Sequence, residues 1–77
     1  MEIQIFAMAQ ITDGSFLIAS EAKKPPAFYD IIVNKEPDAG GMIEVVRELD
    51  NLTLEQASEM ATALEEEFPD AGLSWID

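Results

Sequence analysis

Residues 2–11, EIQIFAMAQI, alternate without a break. Ile3, Ile5, Ala7, Ala9 and Ile11 fall on one side, and Glu2, Gln4, Phe6, Met8 and Gln10 on the other. A period of two sends successive side chains to opposite faces of an extended chain, so this segment is predicted to be a strand with one apolar face. TDGS (12–15) follows, and Asp13-Gly14 supplies the positive φ angles of a two-residue hairpin turn. FLIAS (16–20) then returns antiparallel. A two-residue turn sets Ile11 opposite Phe16 and Ala9 opposite Ile18, which continues the apolar face across the hairpin.

EAKKPPA (21–27) breaks the pattern, because two prolines remove backbone donors and favour extended or turn geometry. FYDIIVNK (28–35) is β-branched and aromatic and reads as a third strand, EPDAGG (36–41) as a turn, and MIEVVREL (42–49) as a fourth strand. That alternation puts Ile43, Val45, Arg47 and Leu49 on one face and Met42, Glu44, Val46 and Glu48 on the other. At Thr53 the period changes. Thr53 with Gln56 forms a capping box, Leu52 stands at the staple position, and the helix is predicted to start at Leu54. Leu54, Ala57, Met60, Ala61, Leu64 and Phe68 make one helical stripe, and Pro69 ends it. LSWI (73–76) reads as a last strand at the sheet edge, with Trp75 closing the core. The order ββββαβ predicts an α+β fold: an antiparallel four- to five-stranded sheet with one helix packed on one face, in a single domain spanning 1–77.

A chain of 77 residues buries only about 60% of the surface its unfolded form exposes. It has no cysteine for disulfides or thiolate-bound zinc, so packing or association must stabilise it. At 48% hydrophobic residues it is too apolar for a disordered acidic tail. One helix covers one sheet face. The other face is expected to carry Phe6, Met8, Leu17, Phe28, Ile32 and Val46, and contiguous apolar patches of that kind mark interfaces, here with a partner or within a homodimer.

The sequence contains no histidine, no cysteine nucleophile and no G-x-S-x-G elbow around Ser15, Ser20, Ser58 or Ser74, so an enzyme is not expected. DAGGMIE (38–44) and DNLTLE (50–55) lack the oxygen-ligand spacing of a calcium loop, and AGG (39–41) lacks both phosphate-loop patterns. No cofactor and no metal site are expected. The apolar runs fall short of the ~20 residues of a membrane span, and Met1-Glu2 is not a basic leader, which points to a soluble, cytoplasmic protein.

Charge is the remaining constraint. Sixteen acids face four bases, for a net charge of −12. Lys23, Lys24, Lys35 and Arg47 are too few to neutralise phosphates, so direct binding to nucleic acid or an anionic membrane is not expected, whereas a basic protein surface is attracted. On the helix, Glu55, Glu59 and Glu66 form a row at i, i+4 and i+11, with Glu65 beside it and no Lys or Arg between. Glu44 and Glu48 are expected to extend this acidic surface from the fourth strand.

In size, charge and lack of catalytic residues the chain resembles the small acidic inhibitors of phages and mobile elements, including anti-CRISPR and anti-restriction proteins. The resemblance implies a stoichiometric inhibitor whose carboxylates imitate the phosphates of DNA in a basic channel of the target. The alternative is a homo-oligomeric structural or accessory protein that uses its apolar sheet face, with the acids serving solubility.

Overall fold

The alternating N-terminal segment forms the centre of the sheet. The computed structural model describes all 77 residues, Met1–Asp77. Strand β1 runs Glu2–Gln10, and its Ile3, Ile5, Ala7 and Ala9 are buried. In chain order there follow β2 (Phe16–Ile18), a single helical turn α1 (Ala19–Ala22), β3 (Phe28–Asn34), β4 (Val45–Leu52), helix α2 (Leu54–Glu67) and β5 (Gly72–Ile76). The fold is α+β, with a five-stranded sheet of order β2-β1-β3-β4 and one main helix.

β5 returns to β1. It pairs with β1 in parallel over Glu2–Phe6, on the edge that β2 occupies farther along at Met8–Gln10. The two short strands therefore lie end to end beside β1, and the Ser20 hydroxyl donates to the Asp77 carbonyl where they meet. The sheet is otherwise antiparallel.

One face of the sheet is covered. Ile3, Ile5, Ile31 and Val33 are 0% exposed beneath Ala57, Ala61 and Leu64 of α2. Small residues at the helix contact let its backbone approach the sheet closely. In a second cluster Ala19 of α1 packs with Ala7 and Ala9 of β1, so α1 covers the far end of the same face. No helix is long and apolar enough to cross a membrane.

The capping box forms as the sequence implies. Gln56 N–H donates to Thr53 Oγ1 at 3.1 Å, and Thr53 N–H donates to Gln56 Oε1 at 2.9 Å. Thr53→Ala leaves the Gln56 N–H without its side-chain acceptor and is expected to lower stability by about 1 kcal/mol in urea denaturation. A change below a few tenths of that value would mean that water replaces the cap. Leu54, first in the predicted stripe, is 57% exposed, because the first turn of α2 projects past the packed contact that begins at Ala57. Trp75 is 45% exposed rather than closing the core, and it meets Tyr29 edge-on with ring centroids 6.2 Å apart.

Two expectations about strand pairing are corrected. The first turn has three residues, not two. Ile11 N–H donates to Ser15 O at 2.9 Å and Gly14 N–H to Ile11 O at 3.0 Å, with Gly14 at φ +89°. This is a turn followed by a left-handed glycine, and it adds one residue to the loop. Gln10 therefore faces Phe16, Ala9 faces Leu17 and Met8 faces Ile18. A one-residue slip moves every side chain of β2 to the other face, so Leu17 joins the covered side and Phe16 and Ile18 the open one.

The fourth strand starts at Val45, not Met42, and it is bulged twice. Asp38 Oδ1 accepts N–H bonds from Gly40 at 2.8 Å and Met42 at 3.0 Å, which holds 38–42 in a turn and leaves Met42 and Ile43 exposed. Val46 is an extra residue against the step from Val33 to Asn34 and packs onto the core. A bulge lets neighbouring residues face the same way, so Val46 leaves the open face on which alternation placed it. The second bulge carries Asn51 at φ +55°, its N–H donating to Asp30 Oδ1 at 3.1 Å. It brings Leu49 and Leu52, three apart, onto the same core.

Candidate functional site

Two surfaces remain after the core is assembled: the outer face of α2 and the uncovered face of the sheet. On α2 the structure places Glu55, Glu59, Glu65 and Glu66 in solvent, as helical spacing implies. None of the four takes part in an ion pair. The three ion pairs of the chain use other acids: Glu36 with the N-terminal amine at 3.7 Å, Glu44 with Lys35 at 3.3 Å, and Glu67 with Arg47. Arg47 reaches α2 because it stands opposite Val33 on the covered face, in step with Leu49.

The position of these acids along the helix is unusual. Glu55 lies in the first turn, where the positive end of the helix dipole favours a carboxylate. Glu65, Glu66 and Glu67 lie in the last turn, which contains no base and where the dipole disfavours negative charge by about 0.3–1 kcal/mol each. Arg47 relieves Glu67 alone.

Glu44 and Glu48 do not extend this array. Glu48 stands opposite Ile32 on the open side of the sheet, whereas Glu44 lies before the strand and pairs with Lys35. The bulge at Val46 separates them and cancels the alternation that would have aligned them. The six predicted acids therefore occupy three places. Nowhere do three acidic side chains converge as a metal site requires.

On the open sheet face, Phe6, Met8, Phe28 and Ile32 lie where alternation predicts, and Leu17 and Val46 do not. Register adds four residues that sequence reasoning missed: Phe16, Ile18, Ile76 and Val45, the last opposite Asn34. Ile18 and Phe28 flank Met8, Ile76 faces Phe6, and Phe16 faces Gln10. Phe16 and Phe28, on strands either side of β1, meet edge-to-face with centroids 5.2 Å apart, and Phe16 is still 52% exposed. Ile32 is set apart from them, between Gln4 and Glu48. Apolar side chains thus gather at the hairpin end of the face, while the Glu2 end carries polar side chains together with the half-exposed Val45 opposite Asn34. There Asn34 Nδ2 donates to Gln4 Oε1 at 3.1 Å. A shallow depression of about 310 Å³ shows that the 35–44 segment approaches this end, with Pro37 and Ile43 beside Gln4 and Asn34.

The chain matches no family model, no curated protein and no solved structure. Its function must therefore be argued from these surfaces.

The loop that fixes Phe16 on the open face contains Asp13, a carboxylate made more acidic by its hydrogen bonds. Ser15 N–H donates to Asp13 Oδ1 at 2.8 Å, and this backbone bond, aided by the Ser15 hydroxyl, holds the Asp13 pKa below the usual carboxylate value. A lowered folded-state pKa contributes stability that is complete above the unfolded value of about 3.9 and is lost as pH falls through the folded one. Asp13→Ala is expected to lower the melting temperature near pH 6, by a difference that shrinks as the pH drops below about 3.9. A constant difference down to pH 2 would show that the Asp13 charge takes no part.

Proposed function

We propose that this chain is a non-catalytic binding protein that inhibits a nucleic-acid-handling protein by setting the acidic outer face of α2 against its basic channel. The observation that carries the reading is the last turn of α2. It holds three acids and no base against the helix dipole, and two of them have no ion-pair partner. A surface selected for solubility alone would intersperse lysine, since Glu/Lys pairs at i, i+4 stabilise a helix by a few tenths of a kcal/mol. Glu59, Glu65 and Glu66 forgo that gain. A basic channel supplies the missing partner.

The mechanism is electrostatic exclusion. A chain of net charge −12 is steered to a positive groove over long range, and a folded helix has its carboxylates ordered before contact. Such a protein competes with nucleic acid because both neutralise the same Lys and Arg side chains on the target. Steering of this kind weakens as salt screens it.

The test is affinity capture at low and at high salt, followed by titration of the captured protein with a labelled duplex or single strand. The expected result is salt-sensitive capture and loss of nucleic-acid binding that saturates at a fixed stoichiometry. Captured proteins whose nucleic-acid binding is unchanged by an excess of this chain would overturn the reading.

A further inference from the structure

We infer that the free edge of β5 docks an extended segment of another protein, which joins the sheet as a further strand. The segment carries basic residues at the end beside Gly72. Gly72 N–H donates to Met1 O at 3.1 Å, so Gly72 turns its backbone groups toward β1. Along a strand such groups alternate in direction from one residue to the next. Ser74 and Ile76 therefore also face β1, while the N–H and C=O of Leu73 and of Trp75 point away from the sheet. β5 pairs with no strand but β1, which leaves these groups without a backbone partner.

The other edges of the sheet are closed to such an addition. β4 is bulged twice, carries Asn51 at φ +55°, and sets Arg47, Glu48 and Asp50 along its length. β2 has only three residues. Bulges, charges and shortness are the means by which edge strands are kept from pairing. β5 has no bulge, no charged residue and no proline, and its register with β1 runs unbroken from Gly72 to Ile76. Trp75 stands on this edge half exposed and belongs to neither packed cluster, so a neighbouring strand also gains an aromatic surface to lie against.

Only a polypeptide backbone presents donors and acceptors at the spacing of Leu73 and Trp75, which makes the occupant an extended chain. The charges around β5 decide its composition. At the start of the strand the Glu2 carboxylate lies 3.4 Å from where a Cβ on Gly72 would stand, and Asp70 precedes it; neither is in an ion pair. Glu36 and Glu67 border the same depression as Asp70, but they are paired with the N-terminal amine and with Arg47. At the far end Asp77 shares a depression with Lys23 and Lys24, and Glu21 lies in α1 beside them, so acids and bases balance there. The uncompensated charge is therefore negative and sits at the Gly72 end. A base on the added strand meets it. A second copy of β5 fits worse: running antiparallel with Leu73 opposite Trp75, it sets Asp77 of each chain beside Asp70 of the other.

The inference does not rest on the α2 reading, because backbone groups in the plane of the sheet make the contact. The probe is a blocked peptide of about seven residues, valine alternating with threonine and ending in lysines, which an antiparallel pairing places beside Gly72. At saturation the amides of Leu73 and Trp75 are expected to exchange with solvent at least about tenfold more slowly, while those of Gly72, Ser74 and Ile76, already bonded to β1, change little. Trp75 is the sole tryptophan, so its emission follows the titration. The same peptide N-methylated at the amides that face β5 keeps its charge and is expected to bind at least about tenfold more weakly. Glutamate in place of the lysines is expected to weaken binding several-fold. Trp75→Pro removes an outward donor without touching a bond to β1, which edge positions tolerate, and is expected to lose binding with an unchanged far-UV circular dichroism spectrum. Exchange at Leu73 and Trp75 unaltered by ~1 mM peptide overturns the inference, as does binding that survives N-methylation or the change to glutamate. Protection of both amides in the free chain through self-association overturns it too.

Discussion

Ile31→Ala is expected to lower the free energy of unfolding by about 2–5 kcal/mol. Ile31 is fully buried between Ile5 and Leu49 under α2, at the middle of a core of seven buried residues. Deleting its outer carbons removes apolar contact and leaves a cavity that a sheet held in register on both sides cannot close. The consequence is large because the total is small. At roughly 0.05–0.15 kcal/mol per residue, a chain of this length has only single-digit to low double-digit stability, so this substitution removes much of it. Urea denaturation of wild type and variant measures the difference, and a loss under 1 kcal/mol would mean that Ile31 is not at the centre of the core. Two further substitutions separate the structure from the helical stripe read off the sequence. Leu64→Ala, 2% exposed, is expected to behave like Ile31→Ala, whereas Leu54→Ala, with more than half its surface in water, is expected to lose less than about 1 kcal/mol.

That contrast shows where sequence reasoning succeeds. β1, β3 and α2 were legible because their signals are local: the alternation of Ile3, Ile5, Ala7 and Ala9, the β-branched run at Ile31–Val33, and the Thr53–Gln56 cap all act within a few residues. Leu54 and Leu64 look alike at that range, because a periodic stripe carries no information about where the sheet beneath it ends. Register is set by turn geometry. Asp13-Gly14 is compatible with loops of two or three residues, and the additional residue exchanges Leu17 for Phe16 and Ile18 on the open face. Bulges are less legible still. The one at Val46 depends on how β4 fits β3, and it returns Val46 to the core, sets Val45 opposite Asn34 on the open face and parts Glu44 from Glu48. The helix acids were readable because every exposed helical position is set by the 3.6-residue period; Ile76 was not, because the parallel pairing of β5 with β1 joins segments from opposite ends of the chain.

The triple variant Glu59→Lys, Glu65→Lys, Glu66→Lys is expected to weaken binding to a basic target by at least about 100-fold, equivalent to ~2.7 kcal/mol. Spread over three positions this is about 0.9 kcal/mol each, close to the upper end measured for single exposed pairs, and reversal replaces attraction with repulsion rather than merely removing it. Each substitution shifts the charge by two, so three of them take the chain from −12 to −6 and weaken long-range steering as well. Most of the early loss should therefore appear in the association rate at low salt. Glu55 is left in place because it complements the helix start. The fold is expected to hold or gain. A base in the last turn suits the helix dipole, and a lysine four residues after Glu55 makes the favourable orientation of an i, i+4 pair. An unchanged or higher melting temperature with lost inhibition ties the effect to the surface rather than to unfolding. Full inhibition by the folded triple variant would remove α2 from the mechanism and leave the acids of this helix as a charged exterior only.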